Sequence, residues 1–209
     1  MINDRNLRNA IIGAIAIAAG GLAGGAAIAE DGALAKSGEY TSDAKHQYIT
    51  FSYDYFGYAR PQLRWRDWNA TLDWNAAEPA ASSVTVMIDA HSIDTGVDEF
   101  DGHLRGDKFF DVENHPAITF ASTSLTKTGE HKGVMIGDLT IKGVTKPVTL
   151  NVTLNKADFN KRNNEYRVGF SANGVVKRSD FGVDLFAPGV SDEVDLNIQT
   201  LFKMPAEAE

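Results

Sequence analysis

The chain has 209 residues, no cysteine, 43% hydrophobic and 23% charged residues, and a formal net charge of −8. These fractions fit a soluble globular domain and exclude a disordered or collagen-like chain, and at this length one domain is the default. The acidic balance argues against nucleic-acid binding, which needs a basic patch to neutralise phosphates. The lack of cysteine excludes disulfides, zinc–thiolate and iron–sulfur sites, thiol catalysis and a lipid anchor on cysteine.

The N-terminal segment differs from the rest. Arg5 and Arg8 give a basic start, Ala10 to Ala29 runs 20 residues without a charge, and Ala27-Ile28-Ala29 precedes Glu30-Asp31. A basic region, an apolar region and a small-residue site describe a secretory signal peptide over residues 1–29. An uncleaved anchor is the rival, since 20 helical residues would just cross a hydrocarbon core of ~30 Å. Against it, 14 of those residues are Ala or Gly, which is weak hydrophobicity for a stable span. Either reading sends the body, residues 30–209, to a periplasmic or secreted compartment.

That body alternates with period 2, the signature of half-buried strands. Ile49, Phe51, Tyr53 and Tyr55 form one such set, and Trp68, Ala70, Leu72 and Trp74 the next. Val84, Val86 and Ile88 follow, then Ile118 and Phe120, then Val134 to Ile141. Val148 to Leu154, Tyr166 to Phe170 and Val194 to Ile198 bring the expectation to about eight strands. Turn chemistry separates them at Glu78-Pro79, Thr128-Gly129-Glu130, Lys142-Gly143, Arg162-Asn163-Asn164 and Pro188-Gly189. One stretch breaks the pattern. Val97, Phe100 and Leu104 are spaced as one helix face, Thr95 suits the N-cap with Asp98 as its partner, and Gly106 suits the stop. The spacing predicts a helix over 96–105.

Eight antiparallel strands in this length predict a closed barrel with one short helix, because closure removes the sheet edges. Such a barrel is filled by side chains or holds one small ligand. Eight aromatic residues fall between Phe51 and Trp74, and they fit a packed core or a lined cavity equally well.

Three passages carry more than barrel signals. The first runs from Ile88-Asp89-Ala90-His91 through His103-Leu104-Arg105-Gly106-Asp107-Lys108-Phe109-Phe110-Asp111 to Pro116-Ala117-Ile118-Thr119-Phe120. The second is Gly137-Asp138-Leu139-Thr140-Ile141-Lys142-Gly143-Val144-Thr145-Lys146-Pro147, and the third Arg178-Ser179-Asp180-Phe181-Gly182. Together they resemble the YceI family of exported lipid-binding proteins, over about Gly38 to Phe202. The resemblance implies a lipocalin-like barrel that holds a polyprenyl chain, an isoprenoid quinone or a fatty amide. The pattern departs near its start, where Tyr55 replaces a frequent histidine, and where Leu63, Trp65 and Trp68 stand for a glycine and phenylalanines. Larger rings there reshape the cavity.

The expected ligand wall is Phe51, Tyr53, Trp65, Trp68, Trp74, Phe120 and Phe170, and the expected mouth is Phe100, His103, Leu104, Phe109 and Phe110. Arg105, Asp111, Arg178 and Asp180 are expected as structural ion pairs, with arginine gripping a polar headgroup as the functional alternative. His91, His103 and His115 lack metal-ligand spacing, and no metal site is expected. Gly169-Phe170-Ser171-Ala172-Asn173 is a near miss to a nucleophile elbow, and no P-loop or dinucleotide fingerprint exists, so no catalytic residue is named. The expected partner is a lipid or isoprenoid, with transient membrane contact and no other cofactor. The alternatives are a stress-response or partner-binding barrel with a filled core and, third, an enzyme on a small metabolite. Oligomeric state is open.

Overall fold

The computed structural model describes residues 35–206, so the signal or anchor expected over 1–29 lies outside the described residues. Eleven strands form one sheet. They are β1 (Gly38–Ser42), β2 (Tyr48–Ser52), β3 (Gln62–Trp65), β4 (Trp68–Trp74), β5 (Ser83–Asp89), β6 (Ile93–Asp94), β7 (Ala117–Lys127), β8 (Lys132–Ile141), β9 (Val144–Asn160), β10 (Glu165–Lys177) and β11 (Glu193–Pro205). Helix α1 (Asp98–Arg105) lies between β6 and β7.

The sheet closes because β11 pairs with β10 along one side, and on the other with β2 at residues 195–199 and with β1 at 202–203. β1 and β2 are therefore successive pieces of one stave. β3 and β4 make the next stave and β5 and β6 the third, since β1 pairs with β4, β2 with β3, β3 with β6 and β4 with β5. With β7 to β11 this gives a closed, eight-stave antiparallel barrel, the expected architecture. The loops 53–61, 95–116, 142–143 and 178–192 gather at one end, here called the helix end; the hairpins 75–82, 128–131 and 161–164 mark the other.

Alternation sets the inner face. On β4, Trp68, Ala70, Leu72 and Trp74 are buried while Asn69 and Asp73 are exposed. The break in the first stave has a polar filling: Gln47 is buried and its amide donates to the Trp68 carbonyl at 2.7 Å. Asp43, in the same turn, is anchored by the Lys203 ammonium at 2.6 Å. Burial pushes its carboxyl up, but hydrogen bonds from Lys203, His46 and the Lys45 amide outweigh that and hold it at about 2.

Three local expectations need correction. β1 was not foreseen, because Gly-Glu-Tyr-Thr-Ser offers one large apolar side chain, the fully buried Tyr40. The strand expected through Tyr55 ends at Ser52. Helix α1 starts at Asp98, with Val97 rather than Thr95 at the N-cap and no side-chain cap. The Thr95 amide donates to Asp101 Oδ1 at 2.7 Å, so Asp101 takes the role assigned to Asp98. Val97 leaves the buried face and is 56% exposed.

Gly137 on β8 shapes the interior. A Cβ there would lie 2.3 Å from Phe120 Cζ and 2.7 Å from the Ala121 carbonyl. The Phe120 ring therefore occupies the space that a side chain at residue 137 would need. Gly137→Ala is expected to lower stability by about 1–3 kcal/mol, as overpacked substitutions do. Urea denaturation checks this; an unchanged midpoint would mean that Phe120 yields freely.

Candidate functional site

The barrel encloses a cavity of about 640 Å³. That lies within the range of roughly 300–1,000 Å³ typical of small-molecule sites. Its lining runs from Tyr55, Phe56 and Phe186 at the helix end to Pro79, Glu130 and His131 at the hairpin end. Between these ends the wall is aliphatic and aromatic, built from the inward positions of β2 to β5 and β7 to β11.

Phe51, Tyr53, Trp65, Trp68, Trp74, Phe120 and Phe170 all line it, as do Phe100, Leu104, Phe109 and Phe110. Their rings interlock. Trp65 stacks on Phe51 at 5.9 Å between centroids and meets Phe110 edge-on at 5.0 Å, which ties the helix end to the wall. Trp74, Phe170 and Phe202 form a second group, with centroids 6.0 and 6.1 Å apart. Burial pushes the Tyr53 phenol up, and nearby Tyr55 adds to it. His103 does not join the mouth. It is exposed, one residue and so about 100° round α1 from buried Leu104. Sequence reasoning missed Leu125, Met135, Leu139, Leu150, Ala172, Leu196, Ile198 and Thr200, all of which line the cavity. The alternation marked Leu139, Leu150, Leu196 and Ile198 as inward, but their aliphatic side chains drew less attention than rings; on β8 the expected Val134 and Ile136 do not line the cavity, and Met135 does, with Ile136 40% exposed. Phe181 lines it as well and sits inside the third motif passage.

The four motif charges do not pair as expected. Arg178 donates to four main-chain carbonyls: Ser191 (2.7 Å), Val183 (2.7 Å), Leu185 (2.9 Å) and Val190 (2.7 Å). Burial lowers its basicity, while Asp192 and Asp184 act against that. Arg105 donates to the carbonyls of His91 (2.8 Å) and Ile93 (3.3 Å). Asp111 accepts from the Asn114 amide at 2.9 Å, and Asp180 is exposed. The two arginines therefore staple loops to the barrel end through carbonyls, and four of the five Arg178 donor hydrogens are already used. Among the ion pairs at this end, where Asp111 lies 3.9 Å from His115 Nε2, Asp94 gathers the most partners: it takes Arg64 Nε at 2.6 Å and Arg66 Nε at 2.8 Å on one oxygen and the Gly96 amide at 3.0 Å on the other. These bonds, Arg66 first, hold the Asp94 carboxyl well below the usual carboxylate range. Lys142 Nζ donates to the Asp107 carbonyl at 2.7 Å and joins the second motif passage to the first. Among the described residues, no group of three or more His, Asp or Glu side chains converges to hold a metal.

The family profile described as a YceI-like domain matches residues 40–202. The chain belongs to this family. A UPF0312 protein of Yersinia pestis (strain Pestoides F) is 38% identical over 172 residues, covering 82% of this chain and 85% of its own length. The crystal structure of the Campylobacter jejuni YCEI protein superposes with a TM-score of 0.65 at 31% identity, covering 72% of this chain and 87% of that one. A polyisoprenoid binding domain from Saccharophagus degradans, implicated in plant cell wall breakdown, shares the fold with a TM-score of 0.59 at 17% identity, over 79% of this chain and 98% of its own.

In this YceI-like barrel the Tyr55-Phe56-Gly57 turn meets the β10–β11 loop. The Phe56 amide donates to the Gly189 carbonyl at 2.8 Å, and a Cβ on Gly189 would lie 2.3 Å from the Phe56 ring. Phe56 and Phe186 both hold left-handed backbone, with φ of 51° and 67°. That conformation is costly for bulky residues and is found where the surroundings enforce it. It leaves an aromatic rim: Phe186 is 62% and Tyr58 88% exposed.

Arg178→Lys is expected to cost about 3 kcal/mol or more, since an ammonium cannot serve four carbonyls spread around a planar fork. Chemical denaturation measures this; a loss below about 0.5 kcal/mol would show that the loop holds without the fork. Asp94→Asn is expected to lower stability near neutral pH. The folded carboxyl titrates below its unfolded value of about 3.9, so its stabilisation is complete above that pH and disappears as pH falls through the folded value. The gap between variant and parent should therefore shrink below about pH 4 in pH-resolved melts. A gap that stays constant down to about pH 2 would assign the loss to something other than the ionised carboxylate.

Proposed function

We propose that this protein is an exported carrier or reservoir that holds a long isoprenoid, quinone or similar amphiphilic chain inside the barrel. The observation that carries this reading is the apolar cavity of about 640 Å³ that occupies the barrel from end to end. Family membership supports it in general terms, as does the shared fold of a domain described as polyisoprenoid binding. Export rests on the basic, apolar and small-residue pattern of positions 1–29.

The physics requires little specific chemistry. Each methylene moved out of water contributes ~0.8 kcal/mol, so about twenty supply roughly 16 kcal/mol. That offsets an association cost of about 4–15 kcal/mol, whereas a chain of ten carbons would not do so reliably. Length therefore decides occupancy. A cavity of this size argues against the filled-core alternative.

Native mass spectrometry of protein purified without detergent tests the reading. A stoichiometric adduct that extracts into organic solvent as a prenyl, quinone or other long-chain lipid is expected. Ala172→Trp places a large ring in the middle of the wall, opposite Val152 and Ile198. It should abolish the adduct while near-ultraviolet circular dichroism still reports a packed fold. A parent protein that stays adduct-free after incubation with membrane lipid would overturn the carrier reading.

A further inference from the structure

The two ends of the cavity differ in chemistry. At the hairpin end the lining includes Lys127, Glu130, His131 and Lys132, all of them exposed. At the helix end it includes Tyr55, Phe56 and Phe186, which are 47%, 50% and 62% exposed. These three side chains therefore line the cavity and meet solvent at once. Tyr58, 88% exposed, belongs to the same patch. Its amide donates to the Tyr55 carbonyl at 2.9 Å, and the Tyr55 and Phe56 rings meet edge-on at 5.0 Å between centroids. Tyr55 also bridges to Val190, whose amide donates to the Phe186 carbonyl at 2.9 Å.

Left-handed backbone at Phe56 and Phe186 is costly, yet it sets two bulky apolar side chains at the surface, where they recover little by burial. At ~200 Å² for a whole aromatic side chain, the four residues leave about 500 Å² in water. Patches of that size mark interaction sites. The area falls short of the ~800 Å² per partner that a stable protein interface buries. A fluid bilayer sets no such threshold, because it closes around rings of any outline, and tyrosine is enriched at its headgroup level. Charge decides which bilayer. The two rim loops hold Asp54, Asp180, Asp184 and Asp192 against Arg60 and Arg178. Arg60 is paired with Asp195, and Arg178 gives its hydrogens to carbonyls. The acidic excess repels an anionic surface and leaves an apolar attraction.

We propose that Tyr55, Phe56, Tyr58 and Phe186 form a membrane-docking rim that seats the helix end of the barrel in the interface of a zwitterionic bilayer, with the charged hairpin end held in water. The proposal goes beyond the carrier reading and stands on the rim alone. If both hold, docking joins the cavity to the hydrocarbon without a water gap, and a long chain crosses between them without being hydrated.

The chain has no cysteine, so single reporters are readily placed. Ala59→Cys, beside Tyr58, and Glu130→Cys, each carrying an environment-sensitive NBD label, report the two ends. Phosphatidylcholine vesicles should blue-shift and brighten the label at position 59 and leave that at position 130 unchanged. In vesicle flotation, Tyr58→Ser combined with Phe186→Asn should lower partitioning at least about tenfold. Both positions are exposed and asparagine tolerates left-handed backbone, so this variant should melt with the parent. Tyr48→Ser, which removes an exposed tyrosine from β2 on the barrel side, should leave partitioning unchanged. Replacing part of the phosphatidylcholine with phosphatidylglycerol should weaken docking, and added salt should restore it. Docking is overturned if vesicles leave the label at position 59 unchanged, if position 130 responds as strongly, or if Tyr48→Ser costs as much as the rim variant. Binding that rises with phosphatidylglycerol and vanishes in salt overturns it as well. A protein that sediments as a dimer, dissociated by Phe186→Asn, would assign the rim to a second copy and overturn it too. The mass adduct judges the carrier reading separately: an adduct without docking overturns the rim alone, and docking without an adduct leaves the rim standing and overturns the carrier.

Discussion

The ring closes through β11, which has two different partners on one side: β2 near its start and β1 near its end. Everything else depends on this seam. An open sheet of this composition would expose both edges and a face of rings to water. Closure satisfies the edge hydrogen bonds and creates an inside at the same time. The cost is the interrupted first stave, where the ladder lapses between Ser42 and Tyr48, and buried Gln47 and the anchored Asp43 occupy the gap.

The helix end is organised by a different kind of bond. Arg178 and Arg105 give their hydrogens to carbonyls, Lys142 does the same for Asp107, and Asp94 gathers two arginines and an amide. Each of these bonds joins segments distant in sequence or pins a loop that would otherwise be free. The first and second motif passages are thus joined through Lys142, while the third staples the loop that follows it. Their charged residues hold main chain in place around the opening, and the rings that face inward do the enclosing.

Strand alternation made the barrel legible in the sequence, because the period of two holds along β4, β5 and β11 and over long runs of β7 to β10, broken there only by local register shifts. Rings were legible as inward-facing for the same reason, though not whether they fill the core or line a cavity. β1 was not legible, since five residues with one large apolar side chain carry no pattern. The start of α1 was misplaced because Thr95 and Asp98 satisfy a local rule, while the actual bond runs from the Thr95 amide to Asp101. Arg105 and Arg178 invited pairing with Asp111 and Asp180 because a sequence displays carboxylates and hides carbonyls.

The end-to-end cavity also has a kinetic side. Most of its wall is paired ladder, with thirteen paired positions between β10 and β11 alone, so a chain housed as proposed would have to break sheet to leave through that side. On the proposed carrier reading, exchange would run along the axis. A cargo would thread like a rod in a sheath, and its dwell time would grow with each carbon that has to pass the rim. The width of its ends would set how fast it enters, while its length would set how long it stays.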